Sequence, residues 1–277
     1  MSGIHVFNHH AMATQFQARI AGEEETYAAQ AAQAAFAVTD KLEALLSRFR
    51  ANSEISHIAQ LAPGEKLRLS EPAFACLEIA QRMELATGGA FSVTAAALKA
   101  QAVRPLWSLL RDKFSIRCDT GKLEFDLGAI GKGFALDRMA EVLREWECAA
   151  FLLVAGGSSI LAGGPPPDSP GWSCGLGEDN SLHRVWLTDG SLSGSGLAVK
   201  GQHIIDPRTG LPGSRRNRAW ALADTAAESD ALSTAGMILE EPAIADVTAK
   251  NERWLVFLNE GENWRHLGSR TPPPPAT

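Results

Sequence analysis

The stretch Asp126-Leu127-Gly128-Ala129-Ile130-Gly131-Lys132-Gly133-Phe134-Ala135-Leu136-Asp137 sets one carboxylate before a glycine-rich turn and a lysine at a helix entrance. Glycines at 128, 131 and 133 let the backbone pass close to a bulky anion. Lys132 adds positive charge, and the free N–H groups of the following helix point the same way. The device suits a phosphate or pyrophosphate. Asp126 repels such a ligand, so a divalent cation or a sugar hydroxyl is expected between them. The pattern is neither of the common nucleotide loops. A Walker A loop needs Gly at position 126 and Ser or Thr at 133, and G-x-G-x-x-G does not occur between 126 and 133. On its own the loop reads equally well as a strand-to-helix connection without a ligand.

Working outward, Ala135, Met139, Val142, Leu143 and Trp146 give the helix from about 131 to 146 one buried stripe. Before it, residues 115–127 read as paired strands around the Asp119-Thr120-Gly121 turn. After it, Phe151 to Val154 reads as a strand ending at Gly156-Gly157, and residues 162–170 as a Gly/Pro-rich loop. Strands are expected near 172–177, 184–188, 218–223 and 254–258, with a helix from Ser229. Nearer the N-terminus, an irregular arm leads into a strand over 15–21. A helix then runs from Glu25 to about Arg50 on the stripe Ala35, Val38, Leu42, Leu45, Phe49. A further helix is capped by Ser70, has Pro72 in its first turn and stops at Gly88. Strand and helix order is irregular and hairpin signals dominate, so an α+β fold is expected rather than a doubly wound sheet.

The totals narrow the function. The chain has 277 residues, a formal net charge of -6 and 45% hydrophobic residues. That allows one large domain or two subdomains sharing an interface. We expect a single domain over 1–268 and a disordered proline-rich tail over 269–277. An acidic chain lacks the basic face of a nonspecific nucleic-acid binder, although a local positive site can still hold a small anion. The four cysteines are widely spaced and form no C-x-x-C pair, which argues against a disulfide framework or a structural zinc site, and buried unbridged thiols are expected. No apolar run reaches membrane-spanning length and no export signal or lipoprotein-type cysteine stands near Met1, so a cytoplasmic location without membrane insertion is expected.

Two later stretches join the first. Asp230 and Thr234 lie four apart, which puts a carboxylate and a hydroxyl on one helical face, a pair of hard oxygen ligands suited to Mg2+. The same pair also fits an acidic residue near a helix N-terminus with a threonine bonded to its own turn. His203-Ile204-Ile205-Asp206-Pro207-Arg208-Thr209-Gly210 fixes a turn from which His203, Asp206 and Arg208 project. It reads as a salt-bridged loop, or as one that holds a ring and moves a proton at a phosphoryl centre.

Together the motifs resemble the FAD:protein FMN transferase (ApbE) family over about residues 12–240. Met12-Ala13-Thr14 resembles its Met-Gly-Thr. Leu46 to Phe49 with Ser53 to Ser56 resembles its Ser-Arg-Tyr and Ser-Glu-Leu-Ser block. Thr87 to Phe91 resembles its Gly-Ala-Phe loop. Asp126 to Gly133, Gly156-Gly157, Ser193-Gly194, His203 to Gly210 and Asp230 to Thr234 follow in order. Ser92 stands where the family usually carries Asp, Phe49 where it carries Tyr, and Ser158 where it carries an acidic or amide residue.

The resemblance implies mixed and antiparallel sheets packed by helices around a central FAD cleft. It implies Mg2+-dependent transfer of FMN from FAD to a Ser or Thr hydroxyl of an acceptor flavoprotein, with release of AMP. Met12, Phe49, Ala90, Phe91, Ser92, Asp126, Lys132 and Ile205 would contact FAD. The backbone oxygen of Ala129 and the side chains of Asp230 and Thr234 would hold the metal. Lys132 and His203 would serve the chemistry, His203 as the proton-handling group. The competing expectations are an FAD pyrophosphatase using water as nucleophile, and an FAD-binding protein without turnover.

Overall fold

The computed structural model describes residues 3–94, 106–120, 123–176, 184–196, 204–260 and 263–276. The chain opens with strands β1 (Ile4–Ala11) and β2 (Thr14–Ala21), helices α1 (Glu25–Leu46) and α2 (Glu54–Ile58), strand β3 (Lys66–Arg68) and helix α3 (Glu71–Ala86). Then come β4 (Trp107–Leu110), β5 (Ser115–Cys118), α4 (Gly131–Glu145), β6 (Ala150–Ala155) and β7 (Ser159–Ala162). Strands β8 (Trp172–Gly175), β9 (Arg184–Leu187), β10 (Gly190–Gly196), β11 (Ile205–Asp206), β12 (Leu211–Pro212) and β13 (Arg218–Ala223) follow. Helices α5 (Ala226–Ile238) and α6 (Glu241–Thr248) precede β14 (Leu255–Glu260) and β15 (Asn263–Leu267).

Eight strands form one antiparallel sheet in the order β1-β2-β6-β7-β10-β13-β14-β15. Side chains alternate across it with the period of two that a pleated strand imposes. Leu153, Ala219, Ala221, Ala223, Val256 and Leu258 face the larger core, which α1, α4 and α5 share. Their neighbours Leu152, Trp220, Leu222, Leu255 and Phe257 face a smaller core closed by the β8–β9 hairpin. Three alanines on β13 let α5 lie close. A Cβ on Gly236 of that helix would sit 3.2 Å from the Ala219 Cβ. The fold is therefore α+β, as the hairpin signals indicated. Among the described residues, no helix is long and apolar enough to cross a membrane.

Several expectations need correction. The N-terminal arm is strand β1, whose eight residues all pair with β2. The connection is Met12-Ala13, both at positive φ (50° and 55°), where a two-residue hairpin normally carries Asn-Gly. The usual turn signal is absent, so sequence reading misses the hairpin. Residues 123–127 are not a strand. Strand β5 pairs with β4 and β3 instead, and the Asp126 amide donates to Val93 O at 2.7 Å. Helix α1 stops at Leu46, and α5 begins at Ala226, where Thr225 caps it by accepting from Glu228 N.

Strand β10 falls on the low-propensity run Gly-Ser-Leu-Ser-Gly-Ser-Gly, which explains why it was not foreseen. The tail expected to be disordered lies along β9. Trp186 N donates to Pro274 O at 2.9 Å and Ala276 N to Arg184 O at 2.8 Å. Prolines cannot donate, but their carbonyls accept and they suit a sheet edge. The four cysteines form no disulfide and are buried, as expected. Burial pushes the Cys76 and Cys174 thiols up to about 12 and the Cys148 thiol to about 11.

Candidate active site

The glycine-rich turn delivers α4 with its first turn against α5. A Cβ on Gly133 would lie 2.1 Å from Ala226 O, so only glycine admits this approach. Each helix then supplies a carboxylate to the other's unsatisfied first-turn N–H groups. Asp230 Oδ2 accepts from Gly133 N at 2.8 Å. Asp137 accepts from Ala226 N at 2.7 Å and Ala227 N at 2.9 Å. Burial pushes the Asp137 carboxyl up to about 7 against the pull of those two bonds, and the neighbouring Asp230 charge adds to the rise.

Asp230 is only 4% exposed. Its Oδ1 accepts from Ser159 Oγ at 2.7 Å, and Lys132 Nζ stands 4.0 Å from Oδ2. Thr234 Oγ1 donates to Asp230 O at 3.2 Å and lies 3.1 Å from Ser195 Oγ. Ala129 is partly buried in the turn that enters α4. Lys132, Asp230 and Thr234 therefore meet at the start of α4, while Asp126 and Ala129 lie in the loop that leads into it. Among the described residues, no group of three or more His, Cys, Asp or Glu could hold a metal. A cation at this place would have to draw on hydroxyl and carbonyl oxygens as well as the Asp230 carboxylate.

Of the loops that the resemblance assigns to FAD, those bearing Phe49 and Ser92 meet the loop bearing Asp126. Asp126 Oδ1 accepts from Gly128 N at 2.9 Å, and its Oδ2 is 3.3 Å from Arg48 Nη1. The bond from Asp126 N to Val93 O ties this loop to Ser92-Val93-Thr94, where Ser92 Oγ accepts from Thr94 N. Phe49 is 85% exposed, with the Arg48 guanidinium 4.8 Å from its ring centroid. Ala90 and Phe91 are buried as whole residues, backbone and side chain alike, so neither presents a surface to a ligand here. The positive-φ turn at Met12 is held by the Met12 N–H, which donates to Glu43 Oε2 at 3.0 Å and keeps that carboxyl below its usual range.

Ile205 begins the β11–β12 hairpin, whose Gly210 takes φ 72°. There Arg208 grips Asp206 through Nε at 2.9 Å and Nη2 at 2.7 Å, holding the Asp206 carboxyl low. Arg208 faces Gly88, Gly89, Thr94 and Trp107 across a cavity of about 700 Å³. His203, the expected proton-handling residue, lies outside the described residues. Another cleft, of about 690 Å³, opens beside Arg144 towards the opposite end of α4. There Asp224 is paired with both Arg253 and Arg270.

Sequence reading missed Arg48 as the partner of Asp126, and Glu43, Asp137, Ser159 and Ser195 as supports. One signal was available: Gly133 and Asp137 are four apart, putting a gap and a carboxylate on one helical face. Nothing local marks Ser159.

Residues 12–257 match the ApbE family. The chain belongs to that family. An FAD:protein FMN transferase of Klebsiella pneumoniae (strain 342) is 23% identical over 64% of this chain and 65% of its own length. One from Salmonella typhimurium is 24% identical over 53% of this chain and 46% of its own. The chain thus spans less than two thirds of these curated relatives. The solved structure of the flavin transferase ApbE from Vibrio cholerae superposes with a TM-score of 0.81 at 19% identity, covering 97% of this chain and 98% of that one.

Proposed function

We propose that this ApbE-family protein transfers FMN from FAD to a Ser or Thr hydroxyl of an acceptor protein, with Mg2+, and releases AMP. One observation carries the reading: a buried carboxylate, Asp230, bonded to the first turn of α4 beside Lys132. Helix N–H groups and a lysine suit a diphosphate, and the carboxylate suits a cation bridging to it. The donor set fits Mg2+, because Asp230, Thr234 and the Ala129 carbonyl offer only hard oxygens with a single formal charge. Diphosphate oxygens and water would complete the shell. When bound, the ion would neutralise charge developing on the phosphates.

The chain's own groups do the rest. Lys132 holds the diphosphate by charge. Asp126, neutralised on one side by Arg48, keeps acceptor capacity for a hydroxyl of the dinucleotide. Phe49 offers an open ring face for stacking, while Met12 and Ile205 add apolar wall. The acceptor oxygen attacks the flavin-side phosphorus in line, the bond to the AMP oxygen breaks, and the hydroxyl proton passes to a base, for which His203 is the candidate.

The test is incubation with FAD and Mg2+, with and without an acceptor protein carrying an exposed Ser or Thr. AMP that appears only with acceptor, together with an FMN mass increment on that acceptor, is expected. AMP formed equally without acceptor would replace transfer by hydrolysis. Tight FAD binding with no AMP in either arm would leave only a binding protein.

A further inference from the structure

Beside its apolar contact with β13, helix α5 meets the sheet along a seam of buried hydroxyls on β10 and β7. Ser191 Oγ donates to Ala223 O and Thr225 O, Ser193 Oγ pairs with Ser229 Oγ at 2.7 Å, and Ser195 Oγ lies 2.9 Å from Ser233 Oγ. Ser159, Ser191, Ser193 and Ser229 are fully buried. Apolar packing is non-directional and tolerates a helix that rolls, whereas each of these bonds specifies one partner. The seam therefore fixes how α5 is rotated about its axis.

Two of its members touch the oxygens assigned above to the cation, and Ser159 acts on the carboxylate itself. Rotation about the terminal carboxylate torsion of Asp is soft. Asp230 is pinned at both oxygens, by Gly133 N on Oδ2 and Ser159 Oγ on Oδ1. A carboxylate has about four lone-pair sites, so two remain free after these bonds. Without Ser159, only Gly133 N and the charge of Lys132 orient the group. Across the seam, Thr234 directs its proton to Asp230 O, so that its lone pairs are shared between Ser195 and any incoming cation.

We infer that Ser159 is a positioning residue: its hydroxyl sets the plane of the Asp230 carboxylate and thereby the affinity of the site for a divalent cation. The inference rests on Asp230 being a cation ligand, and the experiment separates the two claims.

Mn2+ binding is followed by electron paramagnetic resonance in the presence of FAD and without acceptor. Ser159→Ala should raise the Mn2+ Kd about tenfold, a loss of the size expected for removing an outer-shell partner. Ser159→Cys, with its weak S–H donor, should fall between Ala and wild type. In turnover, the Mg2+ concentration for half-activation should rise while kcat at saturating Mg2+ recovers. Ser191→Ala removes an equally buried hydroxyl that touches neither Asp230 nor Thr234, and should leave the Mn2+ Kd unchanged at a comparable loss of thermal stability. An equal Kd shift in Ser159→Ala and Ser191→Ala makes Ser159 merely structural and overturns the inference. So does a Kd within twofold of wild type in Ser159→Ala while Asp230→Asn loses Mn2+. Unimpaired Mn2+ binding in Asp230→Asn removes the cation assignment itself, and this inference with it.

Discussion

The two halves of the candidate site are built in opposite ways. At the α4–α5 junction, Asp230 is 4% exposed and Asp137 is half-buried, and both carboxylates accept backbone N–H groups of the facing helix. On the outer side, Phe49 is 85% exposed and Arg48 meets Asp126 through one ion pair whose side chains are nearly half exposed. Exposed pairs of that kind contribute little, typically below about 1 kcal/mol. The inner half is over-determined and the outer half is loosely held. On the function proposed above, a reaction at phosphorus would need its charges fixed before substrate arrives, whereas ring recognition would tolerate a surface that settles on its ligand.

Three substitutions can break or sharpen that contrast. Asp230→Ala should have the largest effect. Loss of one hard-ion ligand costs several kcal/mol of charge stabilisation, so Mg2+-dependent AMP release should fall by about a thousandfold or more. Turnover near wild type, read by chromatography of AMP, would take the cation away from the inner half. Gly133→Ala comes next. Its Cβ meets Ala226 O at 2.1 Å, and overpacking of that severity should cost about 3 kcal/mol, lowering the thermal midpoint by roughly 6–12 °C. A midpoint equal to wild type in a melting experiment would mean that the two first turns do not abut.

Phe49→Ala should be the mildest. An exposed ring contributes within about 0.5 kcal/mol to stability. Its stacking on a ligand ring is worth about 1 kcal/mol, so the Kd for FAD in a fluorescence titration should rise roughly fivefold with the melting midpoint unmoved. A large loss of stability in this variant would place the ring in a packed wall and erase the contrast between the halves.

What the sequence disclosed follows the same division. Helix α4 was readable because its apolar residues recur at helical spacing and glycines stand at its entrance. Strand β13 was readable because Arg218 to Ala223 is a short apolar run. Asp126 and Lys132 mark a candidate anion loop by residue type and spacing, whereas Asp230 and Thr234, four apart, suit an ordinary helix start at least as well and take their metal role from the family resemblance. The hairpin at Met12-Ala13 was illegible, because its two positive-φ residues are imposed by tertiary bonds such as the one to Glu43 rather than by turn chemistry. Strand β10 was hidden because serines that serve a helix seam look locally like a linker. The partners Asp137 and Ser159 act across 89 and 71 residues of chain, a separation that no local pattern encodes.

The four thiols have a practical consequence. All are buried, and the three at about 11 to 12 are held protonated at neutral pH, where a thiol is a poor nucleophile. The natural chain thus offers alkylating reagents almost no background. A single cysteine introduced at exposed Leu85, on the rim of the cavity that Arg208 faces, would carry a fluorophore to the edge of the cleft without first stripping the protein of its own sulfhydryls.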